Sequence, residues 1–169
     1  MPFTPLHMGP AALLKAAVGA RFSLTVFGLS QVLIDLEPLI RIQRGDPVLH
    51  VTTHNLAGAV VIAAIAAEPG RWLCRRIIPP RFADRPDPRA GAAGQVVLPR
   101  GVAWVSALVG TLSHLLLDGV MHDDVRPLWP LSDAQPWLHA IPVTALHAGC
   151  IGLGVLGLAG LAWRYSLPD

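Results

Sequence analysis

The 169-residue chain has few charged side chains: Asp, Glu, Lys and Arg make up only 14% of it, against 53% apolar residues. Soluble domains usually carry about a quarter charged residues, so this composition argues against a water-exposed monomer and excludes a disordered chain. The formal net charge of +2 is too small to indicate a nucleic-acid partner. With a mean hydropathy of +0.51, the sequence indicates a compact membrane protein.

Several familiar functional motifs are also missing. The two cysteines, Cys74 and Cys150, form no Cys-x-x-Cys pair, and the topology inferred below separates them, so we expect no disulfide. No Gly-x-Ser-x-Gly elbow accompanies Ser113, which argues against a serine nucleophile. The glycines between Gly152 and Gly157 match the spacing of a dinucleotide-binding loop, but no strand precedes them. In an apolar helix they predict close helix packing instead.

What the sequence does contain is a series of apolar runs. The two longest reach the ~20 residues that a bilayer core requires of a helix. We therefore predict an all-α fold: a compact polytopic membrane bundle of about four to five helices, forming a single domain over residues 1–169. The predicted segments are Pro10–Ala20, Phe22–Ile40, His54–Ala67, Gly101–Met121 and Trp137–Trp163, the last interrupted by Pro142.

Basic residues predict the orientation of this bundle. If the segments alternate in direction, one side receives Arg21, the stretch 71–100 and Arg164, which together hold nine of the thirteen basic residues. Because basic loops stay in the cytoplasm, we expect the Arg/Pro-rich loop 71–100 to be cytoplasmic. Its stretch Pro79–Pro99 has one aromatic residue, Phe82, and so lacks aromatic residues interleaved with its arginines. We therefore expect it to contact lipid headgroups and no nucleic acid.

The same alternation brings most acids and histidines to the opposite end of the bundle, where we expect a polar site. His50 and His54 are four residues apart. His114 and Asp118 are also four residues apart, as are Asp118 and His122. Residues four apart share one face of a helix, so each set can chelate one ion. Imidazole and carboxylate together suit zinc, manganese or iron. Charged groups within a membrane usually mark function.

Simpler explanations remain open for several of these residues. A lone histidine at a membrane boundary is more often a hydrogen-bonded surface residue than a ligand, which applies to His139, His147 and in part to His122. Asp35 is also a candidate helix cap, and Asp124 a candidate turn residue. For His50 and His54, metal binding and a structural role are both plausible.

The chain contains, in this order, the blocks Thr4–Pro10, Asp35–Pro38, His50–His54, Ser113–Asp118 and Met121–Pro130. Their order resembles that of the bacterial membrane-bound metal-dependent hydrolases (YdjM-like). The similarity covers about residues 4 to 147. It implies an inner-membrane hydrolase with a polar centre of His7, Asp35, His54, His114 and Asp118, with His50 and His122 close by. One departure is Asn55, where family members commonly have a small hydroxyl residue after the second histidine.

These observations predict a metal-dependent hydrolase that acts on a phosphoester or lipid-like substrate at the outer membrane face. We expect the cofactor to be a divalent metal, with zinc preferred and manganese or iron as alternatives. Asp35 or Glu37 is the candidate base; Arg126 and Asp124 are candidates for substrate binding, and Asp124 is also a weaker candidate base. Metal-bound water is acidified to ~7. The alternative is a non-catalytic membrane protein that uses the same cluster for metal binding or for proton or ion transport.

Overall fold

A computed structural model describes residues 5–77 and 98–166, and these residues form helices and turns without a strand. The predicted all-α class is therefore confirmed. Short 3₁₀ turns at Pro5–His7 and Gly19–Arg21 precede and follow the first helix. Within the described residues the α-helices are α1 (Met8–Val18), α2 (Leu24–Ile34), α3 (Leu36–Arg44), α4 (Leu56–Ile77), α5 (Arg100–Met121) and α6 (Val143–Ser166).

Three of these helices are long and apolar enough to cross a membrane: α4 over Leu56–Leu73, α5 over Arg100–Met121 and α6 over Val143–Arg164. In α6 only 11% of the apolar window is buried inside the protein. A helix this apolar and this exposed is suited to lipid contact. Length and composition therefore support the predicted membrane bundle.

The helix bounds differ from the predicted segments at three places. The segment 22–40 breaks at Asp35 into α2 and α3, and α6 begins only after Pro142. The segment expected to end at Ala67 continues as α4 through Pro69 to Ile77. Pro69 removes one backbone hydrogen bond, but Ala66 and Ala67 just before it are fully buried against α2 and α5. This packing outweighs the local preference of proline to end a helix.

Small side chains let α2, α4 and α5 approach closely. The core between them contains Ala63, Ala66 and Ala67 from α4 and Ala103 and Ala107 from α5, packed against Val26 and Leu98. Close approach of this kind gives apolar helices their packing contacts where lipid supplies no hydrophobic driving force. It also holds the site-bearing ends of α2, α4 and α5 together.

Gly154 and Gly157 of α6 perform the packing role that the sequence predicted, whereas Gly152 has no neighbour within 4 Å. A Cβ at Gly154 would lie 3.2 Å from Gly9 in α1, and one at Gly157 would lie 2.3 Å from the Leu13 nitrogen. Further along, Arg164 donates a hydrogen bond to the Ala16 carbonyl at 3.2 Å. Later residues of α6 contact later residues of α1, so the two helices run parallel. The turn Gly19–Arg21 consequently lies at the same end of the bundle as Arg164.

The alternating direction of the helices determines where the loops lie. α1, α4 and α6 begin at one end of the bundle, and α2 and α5 finish there. Residues 71–77 of the predicted cytoplasmic loop belong to α4, while 78–97 lie outside the described residues. At 11 residues each, α1 and α2 are roughly 16 Å long. They reach only from the opposite end of the bundle to the level of the polar residues.

Candidate metal centre

Five helix termini deliver polar side chains to one buried cluster. His7 precedes α1, Asp35 separates α2 from α3, and His54 precedes α4. His114 and Asp118 lie one turn apart near the end of α5, and His122 follows that helix directly. Their exposed fractions are very low, at 3% for His7, 5% for Asp35, 1% for His54, 1% for His114 and 3% for Asp118.

Four of these side chains point their ligand atoms at a common centre. The Nε2 atom of His114 lies 3.2 Å from Asp35 Oδ1 and 3.3 Å from Asp118 Oδ2. The Nε2 atom of His54 lies 3.3 Å from that of His114 and 3.4 Å from Asp118 Oδ2, with Asp35 Oδ1 at 3.7 Å. Ligands that surround a metal tetrahedrally at 2.0–2.1 Å are separated from one another by roughly 3.3 Å. The four residues therefore have the spacing of a tetrahedral ligand set.

The hydrogen bonds on the far side of each imidazole fix its tautomer. The Nδ1 atom of His114 lies 2.6 Å from Gln31 Oε1, and the Gln31 amide nitrogen donates to the Gly110 carbonyl at 2.8 Å. The Gln31 oxygen must therefore accept the Nδ1 proton of His114. His54 Nδ1 lies 3.0 Å from Thr53 Oγ1. That hydroxyl also faces the Ile34 carbonyl and Glu37, so its proton goes to one of them and it accepts from His54.

These hydrogen bonds leave the Nε2 atom of each ring directed at the carboxylates of Asp35 and Asp118. Two imidazole nitrogens and two carboxylate oxygens therefore converge in a buried space. Buried carboxylates require a positive charge beside them, and protonated imidazoles or a metal cation at the centre can supply it. The donor set, with two imidazoles and two carboxylates, is one that divalent metals accept. This group could hold a divalent metal ion.

A second group shares one residue with the first. His50, His122 and Asp118 also place ligand atoms within 4.8 Å of one another. His50 Nε2 lies 3.9 Å from Asp118 Oδ2, and the His50 and His122 rings stack at 4.6 Å between centroids. His122 Nε2 is buried and has no hydrogen-bond partner. Burial lowers the pKa of both His50 and His122, so both rings are neutral at pH 7.

The prediction that His50 and His54 share a helix face is wrong, because residues 46–55 form an irregular loop before α4. Bends in this loop nevertheless bring the two rings to 4.5 Å, edge to face. His54 belongs to the first group of ligand residues, and His50 belongs to the second. The corresponding prediction for His114 and Asp118 holds, since both lie on one face of α5.

Asp124 holds His50, a member of the second group, in position through hydrogen bonds. Its Oδ1 atom accepts a hydrogen bond from His50 Nδ1 at 2.8 Å, and Oδ2 accepts from the amides of Leu49 and His50. Burial alone would raise the pKa of Asp124, but the hydrogen bonds from Leu49 and His50 outweigh it and lower that pKa. A carboxylate that orients a histidine in this way is common behind metal ligands.

His7 contacts the cluster without entering either group. Its Nδ1 atom lies 3.2 Å from His114 Nδ1, which already donates to Gln31. His7 Nδ1 is therefore an acceptor and its proton is on Nε2, which faces Asp118 Oδ1 at 3.7 Å. Burial, followed by repulsion from His114, lowers the pKa of His7 to about 4. The ring is neutral at pH 7, and its Nε2 atom is buried without a hydrogen-bond partner.

Glu37 is hydrogen-bonded to the loop before α4. Its oxygens accept from the Thr52 and Thr53 amides at 2.7–3.0 Å and from Arg41 at 2.9 Å. Burial by itself raises the pKa of this carboxyl, but the hydrogen bonds from Thr52, Thr53 and Arg41 outweigh it and lower the pKa to about 2. Glu37 belongs to neither ligand group. It holds α3 against the turn that carries His54.

The remaining predicted residues lie at the edge of the cluster. Arg126 is exposed and donates to the carbonyls of Asp123 and Val125 at 2.7 and 3.2 Å. Asn55, the departure from the family pattern, accepts from the Gly58 amide at 2.8 Å and so caps α4. Asparagine caps a helix as well as serine does and better than threonine, so this departure leaves the local structure intact. His139 is exposed.

Sequence reasoning missed two residues that orient the cluster. Gln31 is the one amide side chain in α2, a helix that is otherwise apolar except for Thr25 and Ser30. A polar side chain isolated in this way was a signal, since it requires a buried partner. Thr53 carried no such signal, because a hydroxyl in a loop is ordinary. Only the tertiary contact with His54 reveals its role.

Comparison with known proteins finds no family model, curated protein or solved structure that matches the chain. The resemblance to the YdjM-like hydrolases therefore stays a prediction. The description of the centre depends on the chain's own geometry. That geometry provides one buried four-residue group and one three-residue group, joined through Asp118.

Proposed function

We propose that this protein is a membrane-embedded metal-dependent hydrolase of the bacterial inner membrane, similar to the YdjM-like family. The observation that carries the proposal is the convergence of Asp35, His54, His114 and Asp118, with ligand-atom separations of 3.2–3.7 Å in a buried space. Zinc is the metal we assign, because a tetrahedral set of imidazole and carboxylate ligands suits it. Such an ion supplies Lewis acidity and acidifies water to ~7.

A neighbouring cavity supports the substrate class. It has a volume of about 590 Å³ and is lined by Thr53 and Asn55, on either side of His54, together with Val61, Arg126 and Trp129. Val61 is 57% exposed and lies in the apolar window of α4, so the cavity opens towards lipid. An apolar wall with one guanidinium suits an amphipathic anion such as a phospholipid or another phosphoester.

The chain's own residues then have distinct roles. Asp35 is at the centre and is our candidate to accept a proton from water, whereas Glu37 positions the turn that carries His54. Arg126 binds the anionic group of the substrate. Gln31, Thr53 and Asp124 hold His114, His54 and His50 in the tautomers that leave Nε2 free. His7 packs against the cluster, with its Nε2 atom 3.7 Å from Asp118 Oδ1.

One observation favours a second function, which is non-catalytic metal binding or ion transport. The first group already has four side chains, and four protein ligands are typical of a closed structural zinc site. A catalytic site keeps one position open for water or substrate. If the first group acts alone, storage or transport would explain it better than hydrolysis.

The test is an activity measurement on the full chain in lipid nanodiscs. We expect zinc-dependent hydrolysis of bis(p-nitrophenyl) phosphate or of phosphatidic acid. Asp35→Asn should lower kcat about 100-fold or more, while Asp123→Asn, which changes an exposed acid, should keep the activity. Arg126→Ala should raise KM more than it lowers kcat. Full zinc occupancy without turnover above that of Asp35→Asn would instead support the non-catalytic function.

We also propose that the loop 71–100 faces the cytoplasm and the metal centre faces the outside. Nine basic residues on one side, against three on the other, support this orientation. In a cysteine-free background, a reagent that cannot cross the membrane should label Asp46→Cys in intact cells and miss Arg85→Cys until the membrane is broken. The reverse labelling pattern would overturn the orientation.

A further inference from the structure

We propose that the centre holds two metal ions, with the second bound by His50 and His122 and with Asp118 shared between the two. This inference extends the proposed metal centre and rests on it. It assigns a ligand role to His50 and His122 that the first group does not require. It also assigns Asp118 a bridging role, which explains why one carboxylate belongs to both groups.

The orientation of His50 is the first argument. Asp124 fixes its Nδ1 proton with a 2.8 Å hydrogen bond, and the same carboxylate binds the backbone at Leu49 and His50. The remaining nitrogen, Nε2, is directed towards Asp118 Oδ2 at 3.9 Å. With Nδ1 held by Asp124, Nε2 is the His50 nitrogen that is available to an ion. This distance is too long for a hydrogen bond but leaves room for an ion between the two atoms.

The second argument comes from His122. Its Nε2 atom is buried without a hydrogen-bond partner, although buried polar atoms are nearly always paired. The ring stacks on His50 at 4.6 Å with an angle of 29° between planes. The two stacked imidazoles and one carboxylate place three ligand atoms within 4.8 Å of one another. A cation at this position would provide the partner that His122 Nε2 lacks.

The two groups differ in the number of protein ligands, and this difference has a chemical consequence. The first has four side chains and the second has three. Three protein ligands with an open position are the usual arrangement of a catalytic zinc, and paired ions ~3.5–4 Å apart are common in enzymes that hydrolyse phosphoesters. Water and substrate would therefore bind at the second ion, while the first ion and Asp118 hold the centre together.

Metal stoichiometry tests the inference directly. The full chain is purified in detergent with its tag removed, equilibrated with zinc and measured by elemental analysis against an amino-acid-based protein concentration. We expect two zinc per chain, one in His50→Ala and in His122→Ala, and none in Asp118→Asn. His139→Ala and Asp123→Asn alter exposed neighbours of the same chemistry and should retain two zinc ions. Helical circular dichroism shows whether each variant is folded.

A second measurement does not depend on any variant folding. The wild-type chain loaded with Mn²⁺ should give an exchange-coupled electron paramagnetic resonance spectrum, because a shared carboxylate couples the two ions. One ion per chain, or two ions without coupling, would overturn the inference. If one ion is bound per chain and it is lost in His114→Ala but not in His122→Ala, the first group still binds a metal as proposed. If no metal is bound at all, the proposed function fails as well.

Discussion

The two ends of α4 and α5 carry their charged groups in opposite settings. At one end, His54, His114 and Asp118 are at most 3% exposed, and their ligand atoms face one another. At the other end, Glu68 pairs with Arg100 and Arg71 and accepts a hydrogen bond from Trp104 at 2.7 Å. The Arg100 side chain there is 70% exposed, and both carboxylate oxygens of Glu68 have a partner.

This contrast distinguishes structural from functional charge. Glu68 already has oppositely charged partners in Arg100 and Arg71. Exposed ion pairs of this kind contribute little to stability. At the His/Asp end, ligand atoms of two carboxylates and two imidazoles converge in a buried space, where charge is costly unless it is paired. A divalent cation at this point would pair with both carboxylates. We therefore expect changes at the His/Asp end to affect metal binding, and changes elsewhere to affect stability alone.

The largest effect should come from His114→Ala. The substitution removes a ligand of the first group and one of the lone pairs that converge there, so we expect zinc affinity and hydrolysis both to fall by more than the 10–100-fold typical of changes behind the ligands. Elemental analysis and the nanodisc assay measure the two losses. His139→Ala, at an exposed histidine, is the control. Full zinc occupancy in His114→Ala would rule out the first group as the metal site.

Gln31→Leu should have the next largest effect, although Gln31 is not a proposed ligand. The change removes the acceptor that fixes the His114 tautomer, and losses of 10–100-fold in metal affinity are typical of such partners. A titration against a competing chelator measures the affinity. Ser30→Ala is the matched control, because Ser30 is buried in the same helix and bonds only its own helix, at Phe27. Equal losses in both variants would indicate a general packing defect.

Glu37→Gln should lower stability rather than abolish metal binding. It weakens the hydrogen bonds to Thr52 and Thr53, and we expect a cost of about 1–3 kcal/mol at pH 7. Because folding lowers the pKa of Glu37 from 4.5 to about 2, the stabilisation is present above pH 4.5 and is lost as the pH falls towards 2. Thermal unfolding of both forms across this range measures the difference.

In that measurement, the gap between wild type and Glu37→Gln should close as the pH falls from 4.5 towards 2. Glu68→Gln, at the exposed end of the same bundle, should change the unfolding midpoint less at pH 7. A gap that stays constant down to pH 2 would show that the Glu37 charge does not stabilise the loop before α4.

The last comparison concerns two glycines of α6, of which Gly152 should show the smallest effect. A Cβ at Gly157 would lie 2.3 Å from the Leu13 nitrogen, whereas one at Gly152 meets nothing within 4 Å. Gly157→Ala should therefore cost about 1–3 kcal/mol through overpacking. Gly152→Ala should be neutral or gain up to ~1 kcal/mol of helix propensity. Thermal unfolding in detergent compares the two, and equal midpoints would contradict the packing role of Gly157.

Particular residues show how far sequence reasoning reached. His114 and Asp118 were predictable as one face of a helix, because a long apolar run makes that helix certain and a spacing of four is local. His50 and His54 have the same spacing but lie in a loop, so their convergence depends on bends that no periodicity reveals. Glu37 was a candidate base because it lies two residues from Asp35 in the sequence. Its partners Thr52 and Thr53 lie fifteen and sixteen residues away, beyond the reach of local pattern.

The sequence by itself determined the helical class, the membrane-like helices and the end of the bundle at which acids and histidines gather. These follow from hydropathy and chain direction, which are properties of neighbouring residues. Only the tertiary structure decided which histidines share an ion site, which carboxylate joins the two groups and which acids merely position others. Those outcomes depend on distances of a few ångströms between residues up to 107 positions apart, such as His7 and His114, and helix packing alone sets such distances.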